Sequence, residues 1–333
     1  MRSKLILSAL ATGVLFLFGS CEREEPLYKL DIEPGISEIK TLDLGPGYIN
    51  QVYFDLSTGN FTSNDFKVWD LAFPSDVLME NIRMNDGNSA HLALTNTFDI
   101  YEKLEVPVDG WQFDESCGCP DSCAIGQWWE QSTGEIRSKR IVYILDRGEE
   151  FTEDRYFKFQ ISEYTKEAYK VKFADLDGGD VMELKVDIDP EKNFNYLNFA
   201  ENRICSNEPW NRADWDLVFR PYRHIYYDLN PIVEYLVVGS LLNPFMVTAH
   251  ETTTFEYDEI NYDIASKMFY SYEWDLIGFD WKAYDRDLDK YAVDHSKVFV
   301  IKDTEGVYYK LRFLDFYNNL GEKGFPKFEF ERI

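Results

Sequence analysis

The chain closes on Val298–Ile333, VFVIKDTEGVYYKLRFLDFYNNLGEKGFPKFEFERI. Three segments within it alternate apolar and polar residues: Val298–Ile301, Val307–Phe313 and Phe325–Phe330. Asp303–Gly306 and Asn318–Gly324 separate them. Val, Ile, Tyr and Phe in alternation, punctuated by Gly and Asn, signal strands joined by hairpins. Tyr309, Leu311 and Phe313 fall on one face, and Tyr308, Lys310 and Arg312 on the other. A helix would need a period near 3.6 residues, which is missing. The ending therefore predicts an antiparallel β-meander.

Working outward, aromatics make up 17% of 333 residues, which favours strands over helices. The expectation is an all-β chain of stacked antiparallel sheets with few helices. The length suits two domains. Sixty acidic residues against 34 basic ones give a formal charge of −26. Such a surface repels phosphate backbones and argues against nucleic acid as a partner.

Landmarks of the ending recur earlier. Lys67–Phe73, KVWDLAF, matches Ala213–Phe219, ADWDLVF, and each follows an aromatic segment, Tyr53-Phe54 or Tyr196–Phe199. Trp128-Trp129 matches Phe279–Trp281, Arg140–Leu145 matches Lys297–Ile301, and Arg155–Ile161 matches Val307–Phe313. Four landmarks in one order, offset by about 150 residues, predict a tandem duplication. Asp189-Pro190 offers a turn between copies. The expected organisation is a signal peptide at 1–20, an acidic tether at 21–43, a first β domain at 44–187 and a second at 192–333. The Trp of each Trp-Asp pair should fill the core, with Asp70 and Asp216 capping a turn or accepting a backbone bond.

At the amino terminus, Arg2 and Lys4 precede an apolar run from Leu5 to Phe18, then Gly19, Ser20 and Cys21. The run suits a signal-peptide core better than a membrane span. It resembles a bacterial lipoprotein signal, which implies cleavage before Cys21 and lipidation of that residue. Phe18 departs from the usual Leu three before the Cys. Glu22-Arg23-Glu24-Glu25 resembles the surface-export signal of Bacteroidetes lipoproteins. The expected location is the outer membrane, facing the cell surface, with membrane contact only through the lipid anchor.

The order of Trp215–Phe219, Trp281–Tyr284, Val298–Ile301, Asp303–Gly306 and Tyr308–Leu311 resembles HmuY-like haem-binding lipoproteins of Bacteroidetes. The hairpin from Phe316-Tyr317 to Phe328–Phe330 fits as well. The likeness is best over 273–333 and patchier in the first copy. It implies two HmuY-like repeats and haem capture at the cell surface. Its implied partners are haem, an outer-membrane haem receptor and possible host haem proteins. A haem site asks for an apolar cleft and one or two His or Met ligands. The family's ligand loops precede the strand at Lys297, which points to His250 and His295, with Met246 and Met268 as substitutes. His91 reads as a loop residue after the Asn85–Ser89 turn, near Met79 and Met84; His224 follows the second Trp-Asp strand. The competing reading is a non-catalytic surface module that lost haem ligation. It would bind a glycan or protein partner through Tyr226, Tyr227 and Tyr235.

Cys117, Cys119, Cys123 and Cys205 are even in number, and an exported chain meets oxidising conditions, so two disulfides are expected. Cys117 and Cys119 flank a single Gly and read as poorly placed to pair together. Either would reach Cys205, the other joining Cys123; the alternative is a metal site built on CxCx3C. No nucleophile elbow, phosphate loop or zinc-protease helix occurs, so no enzyme is expected. Asp285–Asp289 reads as a solvated turn without the Gly and Glu of a calcium loop.

Overall fold

The computed structural model describes residues 35–75, 81–132, 134–244 and 246–333. The expected signal peptide, Cys21, most of the tether and Met79 lie outside them. Residues 34–333 form one compact unit.

The first eleven strands are β1 (Glu38–Thr41), β2 (Asn50–Phe54), β3 (Phe61–Asp65), β4 (Leu71–Pro74), β5 (Arg83–Met84), β6 (His91–Leu94), β7 (Trp129–Ser132), β8 (Glu135–Ser138), β9 (Val142–Asp146), β10 (Tyr156–Tyr164) and β11 (Ala168–Ala174). The second eleven are β12 (Met182–Asp187), β13 (Phe194–Asn198), β14 (Arg203–Cys205), β15 (Leu217–Tyr226), β16 (Val233–Leu242), β17 (Thr248–Thr252), β18 (Lys282–Asp285), β19 (Lys290–Val293), β20 (Val298–Lys302), β21 (Tyr308–Tyr317) and β22 (Lys323–Arg332). The one α-helix among the described residues is α1 (Tyr262–Ala265). The fold is all-β, and β20–β21–β22 is the expected meander.

Four larger sheets make two sandwiches. In the first, β12-β11-β10-β9-β6 faces β14-β13-β4-β5. Leu71, Tyr143, Phe159, Phe173, Val186 and Leu197 share its core. In the second, β1-β22-β21-β20-β17 faces β16-β15-β2-β3, around Phe54, Phe219, Trp281, Phe313 and Phe328. Adding eleven to every strand number, counting β1 after β22, converts the first sandwich into the second. The two-stranded hairpin β7-β8 becomes β18-β19 in the same way.

This symmetry carries an exchange. The first three strands of each half sit in the other half's sandwich. β2 pairs with β15, with Phe54 opposite Leu217, while β13 pairs with β4, with Leu197 opposite Leu71. The expected cut at 187–192 falls between β12 and β13, both of which complete sheets of the first half. It therefore does not separate two self-contained sandwiches: residues from Leu71 to Cys205 form the first, and residues on both sides of that stretch form the second. The tether also ends earlier than Asp43. β1 pairs with β22, and Leu42 and Leu44 are fully buried in the second core, because their apolar side chains complete that sheet's edge.

The Trp-Asp motifs hold the exchange. Trp69 packs edge-on against Tyr196 of β13, and Trp215 against Tyr53 of β2. The Asp70 carboxylate accepts from Phe199 N at 2.7 Å, just beyond β13; Asp216 accepts from Leu56 N at 2.8 Å, just beyond β2. Asn85 and Asn243 donate side-chain amides to Trp69 O and Trp215 O. The halves differ in the second partner. Asp70 takes Arg147 Nε at 2.6 Å, a buried ion pair, whereas Asp216 takes Thr304 N at 3.0 Å.

Burial pushes the Asp216 carboxyl up to about 7, against the pull of the Leu56 and Thr304 N–H groups. Asp216→Ala strands both donors in the core and should cost about 2–4 kcal/mol in urea unfolding. Because the folded pKa lies above the unfolded value of about 3.9, wild-type stability from this group is fullest at low pH. It is lost as pH rises from about 4 to 7, so the Ala penalty should shrink across that window. Asp70→Ala leaves Arg147 buried and unpaired, and should cost about 3–5 kcal/mol.

Candidate functional site

A cleft of about 1650 Å³ lies between the sandwiches. Ordinary small-molecule pockets run roughly 300–1,000 Å³, so it suits a large ligand. The first sandwich supplies His91 at the start of β6, Trp111, and Arg155-Tyr156 at the start of β10. The second supplies Tyr226, Glu234 and Tyr235 from the β15–β16 hairpin, Lys282 and Tyr284 from β18, Tyr291 from β19 and Phe316 from β21. Aromatic rings line both walls because β-strand ends in an aromatic-rich chain carry them to the sheet rims. Lys67, Arg155, Arg286 and Lys323 add positive charge among Asp146, Glu149 and Glu234.

His91 is the one imidazole lining this cleft among the described residues. Its Nε2 lies 3.0 Å from Glu234 Oε2, and Arg223 Nε lies 3.1 Å from the same oxygen. Burial, reinforced by Arg223, holds the His91 pKa below its usual value, so the ring is neutral at pH 7. The reading of His91 as a plain loop residue is corrected: it opens a strand and lines the cleft between the sandwiches. The sequence carried no signal for this, since its partner Glu234 is more than a hundred residues away.

The four residues expected as haem ligands do not gather. His250 sits on β17, its Nδ1 2.8 Å from Phe269 O, on the face of the sheet opposite Ala249. Met268 packs with Tyr270 and Tyr308 against Val298 and Val300 on the second sandwich's outer layer. His295 is exposed in the turn that Asp294 caps through Ser296 N, and Met246 is exposed in the loop before β17. None of the four lines the cleft. His224 on β15 packs its ring 4.8 Å from Phe279 and 4.7 Å from Tyr226, at the cleft's margin. Of the tyrosines, Tyr226 and Tyr235 line the cleft, while Tyr227 bonds Glu115.

Lys282 is a buried amine at the cleft that the sequence reading passed over. It is 6% exposed, and its Nζ donates to Val238 O at 2.5 Å and Phe279 O at 3.4 Å. Nζ lies 4.2 Å from the Trp281 ring centre and 4.7 Å from that of Phe316. The structure shifts the repeat's register here: the equivalent hairpins set Trp128-Trp129 against Trp281-Lys282 and not against Phe279–Trp281.

The cysteines depart from expectation. Cys117 and Cys119 are joined to each other, and Cys123 and Cys205 are buried thiols. Gly118, at φ +72°, lets the chain double back between them, and a Cβ there would strike the Trp274 ring. Cys123 and Cys205 belong to different clusters, donating to Ile82 O and Val68 O, so neither reaches Cys117 or Cys119. No group of three or more His, Cys, Asp or Glu is placed to hold a metal ion among the described residues. That includes Asp285–Asp289, where Asp285 caps its own turn through Asp287 N and Leu288 N.

The segment from β16 to β22 is where known sequences meet this chain. Residues 238–330 match the HmuY protein family. The HmuY match takes in the β18–β19 hairpin and nearly all of the closing meander, but stops short of the first sandwich. Among curated proteins, none matches. Among solved structures, an apo HmuY analogue from Tannerella forsythia is similar over 91% of this chain and 98% of its own, with 11% identity and a TM-score of 0.27. Apo PinO from Porphyromonas gingivitis is similar over 90% and 97%, with 9% identity and a TM-score of 0.25. No helix among the described residues is long and apolar enough to cross a membrane.

Burial pushes the Cys123 and Cys205 thiols up to about 12. Both should resist a thiol-reactive disulfide reagent in the native protein and react only in denaturant. Peptide mapping without reductant should find Cys117 linked to Cys119; a Cys117–Cys205 or Cys119–Cys205 peptide would contradict this arrangement.

Proposed function

We propose that this chain is a non-catalytic, lipid-anchored surface protein that captures haem in the cleft between its sandwiches. The observation that carries the reading is the imidazole of His91, set among aromatic rings in a cleft large enough for a porphyrin. The HmuY match over 238–330 supports haem as the ligand class. The donor set fits: Trp111, Tyr156, Tyr235 and Phe279 offer apolar faces, and Arg286 and Lys323 offer cations for carboxylates. His91 then takes the role that the sequence assigned to His250 and His295. Lipidation at Cys21 and delivery to an outer-membrane receptor belong to the same proposal.

One observation favours a second reading. The cleft holds a single imidazole but several tyrosines, with Tyr235 60% exposed and Tyr284 48% exposed. Such rings suit a glycan or a protein partner equally well.

Haemin titration of residues 22–333, with Cys21 replaced, separates the two. A saturable Soret shift is expected, weakened at least tenfold by His91→Ala and changed less than twofold by His250→Ala or His295→Ala. With the His91 pKa depressed, binding should persist as pH falls past about 6.5 and fail only below it. No shift at micromolar haemin would remove the haem reading and leave the tyrosine-lined cleft for a glycan or protein.

A further inference from the structure

Lys282 is more than a wall of the cleft. Its amine is buried, yet no carboxylate lies within ion-pair distance of it among the described residues: Asp280, next in line, pairs with Lys297 at 2.7 Å. Its two hydrogen-bond acceptors are both backbone carbonyls, Val238 O and Phe279 O. Two acceptors satisfy the two N–H bonds of a neutral amine and leave its lone pair free, whereas an ammonium would have a third proton to place. The fold does not need a lysine here. The matching position of the first half, at the start of β7, is Trp129, and both hairpins close in the same way: Lys139 N donates to Trp128 O, and Asp294 N to Trp281 O.

We propose that Lys282 is a carbonyl-capture site, whose amine condenses reversibly with an aldehyde carried by a ligand in the cleft. The lone pair adds to the carbonyl carbon, and one N–H proton moves to the oxygen, giving a carbinolamine. The hydroxyl then leaves with the second N–H proton as water, and a C=N bond forms. Water is the sole by-product, and no oxidant or reductant takes part. Trp281, Phe316 and Tyr291 surround the nitrogen, so an aldehyde on an aromatic or apolar body fits best. Burial lowers the Lys282 pKa to about 7, so a large share of the amine is nucleophilic at neutral pH. The rings favour the ammonium, but desolvation outweighs them. This inference rests on the cleft being a ligand site and not on haem being the ligand.

The test treats the protein with benzaldehyde and cyanoborohydride, which fixes any imine as N-benzyl-lysine, and maps the sites by mass spectrometry. Lys282 should be alkylated at least tenfold faster than exposed Lys103 at pH 7. Its rate should rise with a midpoint near 7, where an ordinary lysine titrates near 10.4. Alkylation of Lys282 no faster than Lys103, in protein with a native circular dichroism spectrum, would overturn the proposal. The readout needs no variant. Selective labelling with a silent haemin titration would keep this site and discard haem; a Soret shift without selective labelling would do the reverse.

Discussion

Two buried carboxylates govern this architecture. Asp70 and Asp216 each accept a backbone N–H from just beyond a strand that the chain's other half has lent, and each does so beside a Trp packed on a Tyr of that strand. A buried charge is costly unless its hydrogen bonds are complete. Each position therefore requires a strand in that place, and in this structure the chain's other half supplies it. Once that pairing is set, the two sandwiches are joined through continuous backbone, and the cleft between them has walls from both.

Symmetry in the clamp throws its departures into relief. Arg147 answers Asp70, while a backbone N–H answers Asp216. Trp129 stands where the second half has Lys282. The first sandwich brings the imidazole of His91 to the cleft, and the second brings the amine of Lys282 and most of the tyrosines. The halves thus share a skeleton but contribute different chemistry to one site. A duplicated chain can keep the residues that hold its strands and alter those that face a ligand, because the two sets lie on different surfaces.

Much of the skeleton was legible in the sequence. Alternation in Val298–Ile333 gave the meander, and the paired Trp-Asp motifs pointed to the repeated strand order and to the backbone-accepting role of the aspartates. The strand exchange was not legible, because β2 and β13 have the same pattern whichever sheet receives them, and nothing local distinguishes a near partner from a distant one. Leu42 and Leu44 carried a weak sign that the tether ended early, in their alternation around Asp43. The site was the least legible part. His91 meets Glu234 only through the fold, and the residues before Lys297 that resemble a ligand loop lie on another face. The cysteines failed for a related reason: spacing cannot show that Cys123 and Cys205 settle in separate cores.

The exchange also imposes an order on the chain as it leaves the ribosome or crosses a membrane. The strands of the first sandwich and their Trp-Asp clamp lie between Trp69 and Cys205, so it is complete once that stretch has emerged. The strands β1, β2 and β3 emerge earlier, yet their partners β22 and β15 come from the far end of the chain. The oldest part of the polypeptide is thus the last to be seated, and a truncated product keeps an unpaired, aggregation-prone edge next to the very end that is expected to carry the lipid.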